Sequence, residues 1–165
     1  MLRYERMDGV DLLEHDHDVL GSQVKHVTAL LNGLLSKTFS ASRLHGELLR
    51  QSTSLADQLT AHFGCEESDA FPFLSELLPE YGSGLEQLAY AHRFIRGALD
   101  QMIGLLRSMA PNDLSRRLPE VVETYERFHV AFLVHLQEEA DLLRKASDKL
   151  TDQQRYIISR QLSGR

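Results

Sequence analysis

The spacing of the apolar residues constrains the fold of this chain more than any other feature. In four long segments, apolar side chains recur every three or four residues, as at Leu20, Val24, Val27 and Leu31. This period matches the 3.6 residues of a helical turn, and no alternating run long enough for a strand interrupts it. Short stretches rich in Ser, Thr, Gly or Pro separate the segments. The pattern predicts an all-α fold, an antiparallel up-down-up-down four-helix bundle.

No shift in composition marks a domain boundary within the 165 residues, so we expect a single domain over 1–165. The core bundle is predicted at about 8–147, with a short fifth helix at about 151–162 that Thr151 caps. Pro72 should kink or restart the second helix, because proline lacks the backbone N–H that the helix needs. The fifth helix is expected to dock on the bundle through Tyr156, Ile157, Ile158 and Leu162.

The overall charge and the single cysteine exclude several classes of protein. The formal net charge is -6, and an acidic chain lacks the basic surface that nucleic acid or an anionic membrane would attract. No run of 18 apolar residues is present to span a bilayer, and the charged start over 1–6 does not resemble a signal peptide. Cys65 has no partner for an internal disulfide, which indicates a reducing compartment. We therefore expect a cytoplasmic protein in which Cys65 is a small buried filler.

Six polar side chains interrupt the four apolar stripes where an apolar residue is expected. Each helix contributes a histidine, and two helices add a glutamate four residues later, which places the pair on one helical face. Unpaired buried charges cost several kcal/mol each, so six of them on core stripes require a joint explanation. A metal centre supplies one. The predicted ligands are His17 (with His15 as the alternative in the first helix), His62, Glu66, His92, His135 and Glu139.

The composition of this donor set indicates which metal it would hold. Four imidazoles and two carboxylates offer more donor atoms than one tetrahedral zinc ion can use. The set suits two ions that share carboxylates and keep an open position. Without a thiolate, imidazole and carboxylate donors favour iron or manganese.

Other polar and aromatic residues are given less specific roles. Glu67 and Glu138 are expected to be solvated or to orient a ligand histidine. His26 and His45 are predicted at the surface, and His129 is predicted either exposed or close behind the ligands. Phe63 and Phe132 are expected to keep the site dry.

The combined spacing of these motifs resembles a known family, the hemerythrin-like His-His-Glu (HHE) cation-binding domains. The resemblance runs from about His15 to Leu143. It includes Asp16-His17-Asp18, the segment His62–Glu67 followed by Phe71-Pro72, the lone His92, and the pair His135 and Glu139. It implies a four-helix bundle that holds two iron ions bridged by an oxo or hydroxo group, with manganese or zinc as substitutes.

Two departures separate this chain from the oxygen-carrying members of that family. Arg96 stands four residues after His92, where those carriers have a second histidine, and Glu139 lies four residues after His135, where they have an aspartate five residues on. The pattern is more similar to bacterial relatives with four His and two Glu. The resemblance thus implies a non-heme di-iron protein that binds or reacts with O2, NO or peroxide in oxygen or redox sensing or in stress defence. Ligand binding or sensing is favoured over catalysis, and a weak oxidase, peroxidase or NO-related activity stays open.

Parts of the sequence are also compatible with other functions. The same di-iron site would serve an iron-handling or iron-sulfur-repair protein. The dipeptides His15-Asp16 and His17-Asp18 also occur in HD-type metal-dependent phosphohydrolases, a less favoured interpretation. A ferritin-like di-iron protein would use Glu-x-x-His, whereas this chain has His-x-x-x-Glu.

Overall fold

The computed structural model describes residues 9–163, with side chains over 17–158. Within that range the chain contains helices and turns but no strand, which confirms the predicted all-α class. The α-helices are α1 (Gly9–Leu35), α2 (Ala41–Cys65), α3 (Phe71–Leu77), α4 (Gly82–Ser108), α5 (Leu114–Ser147) and α6 (Asp152–Ser163). The helices α1, α2, α4 and α5 form the predicted four-helix bundle.

Each of the four long helices buries one stripe and exposes the rest of its surface, as its apolar period dictates. On α2 the buried stripe includes Leu48, Leu55 and Leu59, and on α4 it includes Ile95 and Leu99. The stripes meet in one apolar cluster that also contains Phe128 and Phe132 of α5. Burial of these large side chains supplies the main stabilisation of the bundle.

The turn after α1 shows how the chain reverses direction between helices. Lys37 adopts a left-handed backbone conformation with φ of 56°. Its N–H donates to the Leu34 carbonyl, and the Thr38 N–H donates to the Gly33 carbonyl. This is the bonding pattern of a Schellman motif, with lysine in the position that glycine usually occupies. The chain then enters α2 after only a few residues, so α1 and α2 pack antiparallel.

A π-helical turn over Glu66–Ala70 separates α2 from α3. The Phe71 N–H donates to the Glu66 carbonyl, five residues back, instead of four. Pro72 follows at the start of α3, where a missing N–H is tolerated. The predicted interruption at Pro72 is thus confirmed as a wide turn and a restarted helix. Such π turns are frequent at functional sites.

The C-terminal helix α6 packs against α1 and the π turn. Thr151 and Gln154 form a reciprocal cap: the Thr151 N–H donates to Gln154 Oε1 at 2.9 Å, and the Gln154 N–H donates to Thr151 Oγ1 at 3.3 Å. Of the predicted docking residues, Ile158 is buried, but Tyr156 is 48% exposed and Ile157 is 37% exposed. Those two predictions are wrong because only one face of α6 meets the bundle; the Leu162 side chain lies outside the described residues.

A second, smaller apolar cluster closes the end of the bundle that α6 covers. It joins Phe71 and Leu74 near α3 to Leu85 of α4, Leu143 of α5 and Ile158 of α6. The side chains of the predicted metal site lie between this cluster and the main core. Among the described helices, none combines the length and the apolar composition that a membrane crossing requires.

Candidate metal centre

The pair His62 and Glu66 lies where α2 passes into the π turn. Both side chains are buried, and His62 Nε2 is 2.9 Å from Glu66 Oε1. Their spacing of four residues places them on the buried face, one turn apart. The other Glu66 oxygen, Oε2, lies 3.2 Å from His92 Nε2 on α4. Glu66 therefore lies between histidines from two helices.

The second pair, His135 and Glu139, occupies the matching position on α5. Neither side chain is exposed to solvent, and His135 Nε2 lies 3.3 Å from Glu139 Oε2. The His135 and His92 rings are edge to face, with centroids 4.7 Å apart. Because α4 and α5 run antiparallel at this level, the two histidines meet across the core.

His17 of α1 joins the two pairs. Its Nε2 atom lies 3.0 Å from His62 Nε2, 3.2 Å from Glu139 Oε2 and 3.9 Å from Glu66 Oε1. The His17 side chain is 14% exposed, which makes it the most accessible of the predicted ligands. The structure thus brings all six residues together, and the alternative His15 has a side chain outside the described residues.

The donor atoms form two overlapping groups, and within each group they lie within 4.8 Å of one another. Glu66 belongs to both groups. The first group is His17, His62, Glu66 and Glu139, and the second is Glu66, His92 and His135. Each group could hold a metal ion, and Glu66 is common to both. No aspartate with a described side chain belongs to either group, and the side chains of His15 and Asp16 lie outside the described residues.

The hydrogen bonding of these side chains is incomplete in the protein alone. Several of their buried polar atoms have no hydrogen-bond partner among the described residues: both carboxylate oxygens of Glu66 and Glu139, Nε2 of His92 and both ring nitrogens of His135. An unsatisfied buried polar group costs about 1–3 kcal/mol. A bound cation would satisfy the lone pairs of the carboxylates and of one nitrogen of each histidine. Donors about 2 Å from one ion lie about 3 Å apart, and the separations of 2.9, 3.0 and 3.2 Å agree with that spacing.

The charges of the metal-free cluster are strongly interdependent. Burial by itself lowers the pKa of His17, but the nearby carboxylates of Glu139 and Glu66 outweigh it and raise that pKa to about 10. For Glu66, burial favours the neutral acid, yet the close imidazoles of His17, His62 and His92 hold its pKa well below the usual range. Without metal, the positive charge of protonated His17 therefore partly compensates the buried carboxylates.

Aromatic rings and one further carboxylate surround the His92 ligand position. The Phe63 ring stacks on His92 with centroids 3.8 Å apart and an interplanar angle of 5°, and Phe71 lies 5.8 Å away. Glu67 Oε1 lies 2.8 Å from His92 Nδ1 and also accepts a hydrogen bond from Arg96. Glu67 therefore orients a histidine, which is one of the two roles predicted for it; the other was a solvated side chain. The contact with Arg96 was not predicted, because spacing within α4 does not reveal a partner on another segment.

Three predictions about nearby residues are wrong or need refinement. His45 is buried, not at the surface, and its Nε2 donates to the Leu106 carbonyl near the C-terminal end of α4. Cys65 is half-buried, and its Sγ donates to the Ala61 carbonyl. His129 is half-buried because its ring stacks on Tyr125 at 5.5 Å. The His45 contact joins two helices, whereas Cys65 and His129 contact the preceding turn of their own helices.

Comparison with known proteins agrees with this geometry. The family model of the hemerythrin HHE cation binding domain matches residues 8–146. No curated protein and no solved structure gave a significant match. The matched segment contains all four bundle helices and every member of the two donor groups. Because the match covers most of the length of this chain, the chain belongs to the hemerythrin HHE cation-binding domain family.

Proposed function

We propose that this protein is a non-heme di-iron protein that binds or reacts with O2 or a related small molecule, such as NO or peroxide, in oxygen or redox sensing or in stress defence. The observation that carries the proposal is the set of buried, unpaired donor atoms on Glu66, His92, His135 and Glu139. Family membership supports a metal of the iron type. A cytoplasmic location and a small diatomic partner are part of the same proposal.

The residues of the cluster divide into carboxylate and histidine donors. Glu66 belongs to both donor groups and presents its two oxygens to different histidines, so it would help to hold a metal ion in either group. Glu139 is the second carboxylate, and the four histidines provide neutral nitrogen donors. Bound iron would supply the electrons with which a dioxygen-type ligand is held or reduced.

The surroundings of the cluster favour a small ligand. Phe63 is fully buried and covers His92, while Phe132 and Leu59 add apolar surface to the same core. Apolar walls exclude water and strengthen electrostatic interactions within the site. His17 is the most exposed of the six side chains, so we expect the ligand to enter on the α1 side.

Anaerobic titration with ferrous iron tests the proposal. We expect about two iron ions per chain, one for each donor group, and new near-ultraviolet and visible absorption bands when air is admitted. Reversal of the bands under vacuum would indicate ligand binding, and irreversible change would indicate reaction.

Two variants provide the controls for this titration. Glu66→Gln removes the shared carboxylate with little change in shape, and it should reduce iron binding to less than one ion per chain. His26→Ala removes a histidine whose side chain is 54% exposed, far from any donor group, and it should behave like the parent protein. Full iron loading without any spectral response to air, NO or peroxide would refute the proposed function.

A further inference from the structure

Two consecutive glutamates contact the two nitrogens of one histidine. Glu66 Oε2 lies 3.2 Å from His92 Nε2, and Glu67 Oε1 lies 2.8 Å from His92 Nδ1. In a regular helix, neighbouring residues point about 100° apart. Here both belong to the π turn, and they reach opposite sides of the same imidazole. The buried Glu66 belongs to the donor groups, whereas Glu67 is 35% exposed and does not.

Arg96 holds Glu67 from the other side. Arg96 Nη2 donates to the same Glu67 oxygen at 3.0 Å, so that one oxygen is shared between His92 and Arg96. The Arg96 guanidinium also lies 5.8 Å from the centroid of the Phe63 ring, which itself stacks on His92. The His92 ring is thus held by Glu67 and by Phe63, and Arg96 contacts both of these residues.

The other histidine of the same donor group lacks this support. His135 Nδ1 is buried and has no hydrogen-bond partner among the described residues. The two imidazoles that accompany Glu66 in this group are therefore unequal. One has an anionic acceptor behind it, and the other has none.

We propose that Glu67 and Arg96 are positioning residues that together set the donor strength of His92, and through it the metal affinity and reduction potential of this half of the site. The inference rests on the proposed function to the extent that it assumes a metal at the cluster. An acceptor at Nδ1–H fixes the tautomer whose Nε2 lone pair faces the metal position, and an anionic acceptor makes the imidazole more basic. Arg96 counteracts this effect because its positive charge draws on the same oxygen.

Three substitutions separate the hydrogen bond from the charge. Glu67→Ala removes both, Glu67→Gln keeps an oxygen that can accept from His92 Nδ1–H, and Arg96→Met removes only the cation. Loss of an outer hydrogen-bond partner of a ligand histidine weakens metal binding about 10- to 100-fold. We expect that range for Glu67→Ala, a smaller loss for Glu67→Gln, and a change of only a few fold for Arg96→Met.

The reduction potential separates an electrostatic role from a structural one more clearly than metal affinity does. An electrostatic role predicts shifts of opposite sign for the two substitutions, whereas a purely structural role does not. In the iron-loaded protein, Glu67→Gln should raise the midpoint potential, since a negative charge behind His92 is lost. Arg96→Met should lower it, since the Glu67 charge is then uncompensated. In the double variant the Arg96 effect should largely vanish, because Arg96 acts through Glu67.

Glu138→Gln is the matched control. Glu138 is next to the donor residue Glu139, just as Glu67 is next to the donor residue Glu66. It is exposed and belongs to neither donor group. Potentials of Glu67→Gln and Arg96→Met that move in the same direction, or that equal that of Glu138→Gln, would overturn the inference. The wild-type protein could bind iron and show no response to O2, NO or peroxide, while the two variants still shift the potential in opposite directions. That result would refute the proposed function and support the inference. Wild-type protein that binds no metal would overturn both.

Discussion

Replacing His135 by leucine should make the metal-free protein more stable while weakening its metal site. His135 is 1% exposed, and neither ring nitrogen has a hydrogen-bond partner in the part of the chain that the structure describes. Its Nε2 lies 3.3 Å from Glu139 Oε2 but does not form an aligned hydrogen bond. Leucine has a similar volume and no polar atom, so the substitution removes two unsatisfied groups and leaves the packing nearly full.

The size of the effect follows from two opposing contributions. Each unsatisfied buried polar atom costs about 1–3 kcal/mol. Against this, leucine loses the ring contacts of His135 with Phe63 and His92, at centroid distances of 5.4 and 4.7 Å. Such aromatic pairs are worth about 0.5–1.5 kcal/mol each. The net gain is about 2 kcal/mol, which corresponds to a rise in Tm of about 4–8 °C for a domain of this size.

Thermal unfolding followed by circular dichroism, with chelator and then with ferrous iron, measures both halves of this prediction. A ligand present at 100 times its Kd stabilises the native state by about 2.7 kcal/mol, and His135→Leu should lose much of that gain. His45→Leu is the matched control, because His45 is also buried but donates a hydrogen bond to Leu106. It should lower the Tm. If metal-free His135→Leu melts as low as His45→Leu, the argument from unsatisfied donors is refuted.

Three further outcomes are expected. Because the folded-state pKa of His17 is raised to about 10 from 6.5, its contribution to the stability of the metal-free protein is full below pH 6.5 and is lost as the pH rises through about 10. Urea melts of the parent and of His17→Gln should therefore converge toward alkaline pH; parallel curves would contradict this. Thr151→Ala removes the cap that pairs with Gln154, which costs about 1 kcal/mol, and should speed hydrogen exchange in α6. Ser40→Ala should not do so in α2, because Ser40 makes no side-chain cap bond. Lys37→Gly relieves a left-handed φ of 56° and should stabilise the protein by about 1 kcal/mol; an unchanged denaturation midpoint would show that the turn is not strained.

The helical period of the sequence was enough to predict the bundle and the buried face of each helix. The stripe residues Leu59 and His62 of α2 and Glu66 of the π turn are all buried, and so are Phe132, His135 and Glu139 of α5. Local periodicity succeeds here because each side chain's direction on a helix depends on its own position alone.

Properties that depend on the neighbouring helix were harder to predict. His45 was predicted at the surface, although it lies three residues before Leu48, in register with the buried stripe of α2; the Leu106 carbonyl at the end of α4 provides its hydrogen-bond partner. Tyr156 and Ile157 are apolar residues of α6, yet among the described side chains of α6 only that of Ile158 is buried. In each case the sequence specifies the direction of a side chain, but packing decides whether another element lies in that direction.

For this protein, the sequence by itself determined that four helices each present a histidine, and two a glutamate, to a common core. It did so because the apolar period assigns those positions to the buried face. Only the tertiary structure decided that Glu66 belongs to both donor groups and that Glu67 connects His92 to Arg96. These relations depend on the antiparallel register of the helices and on the π turn, and both arise from contacts between segments far apart in the chain.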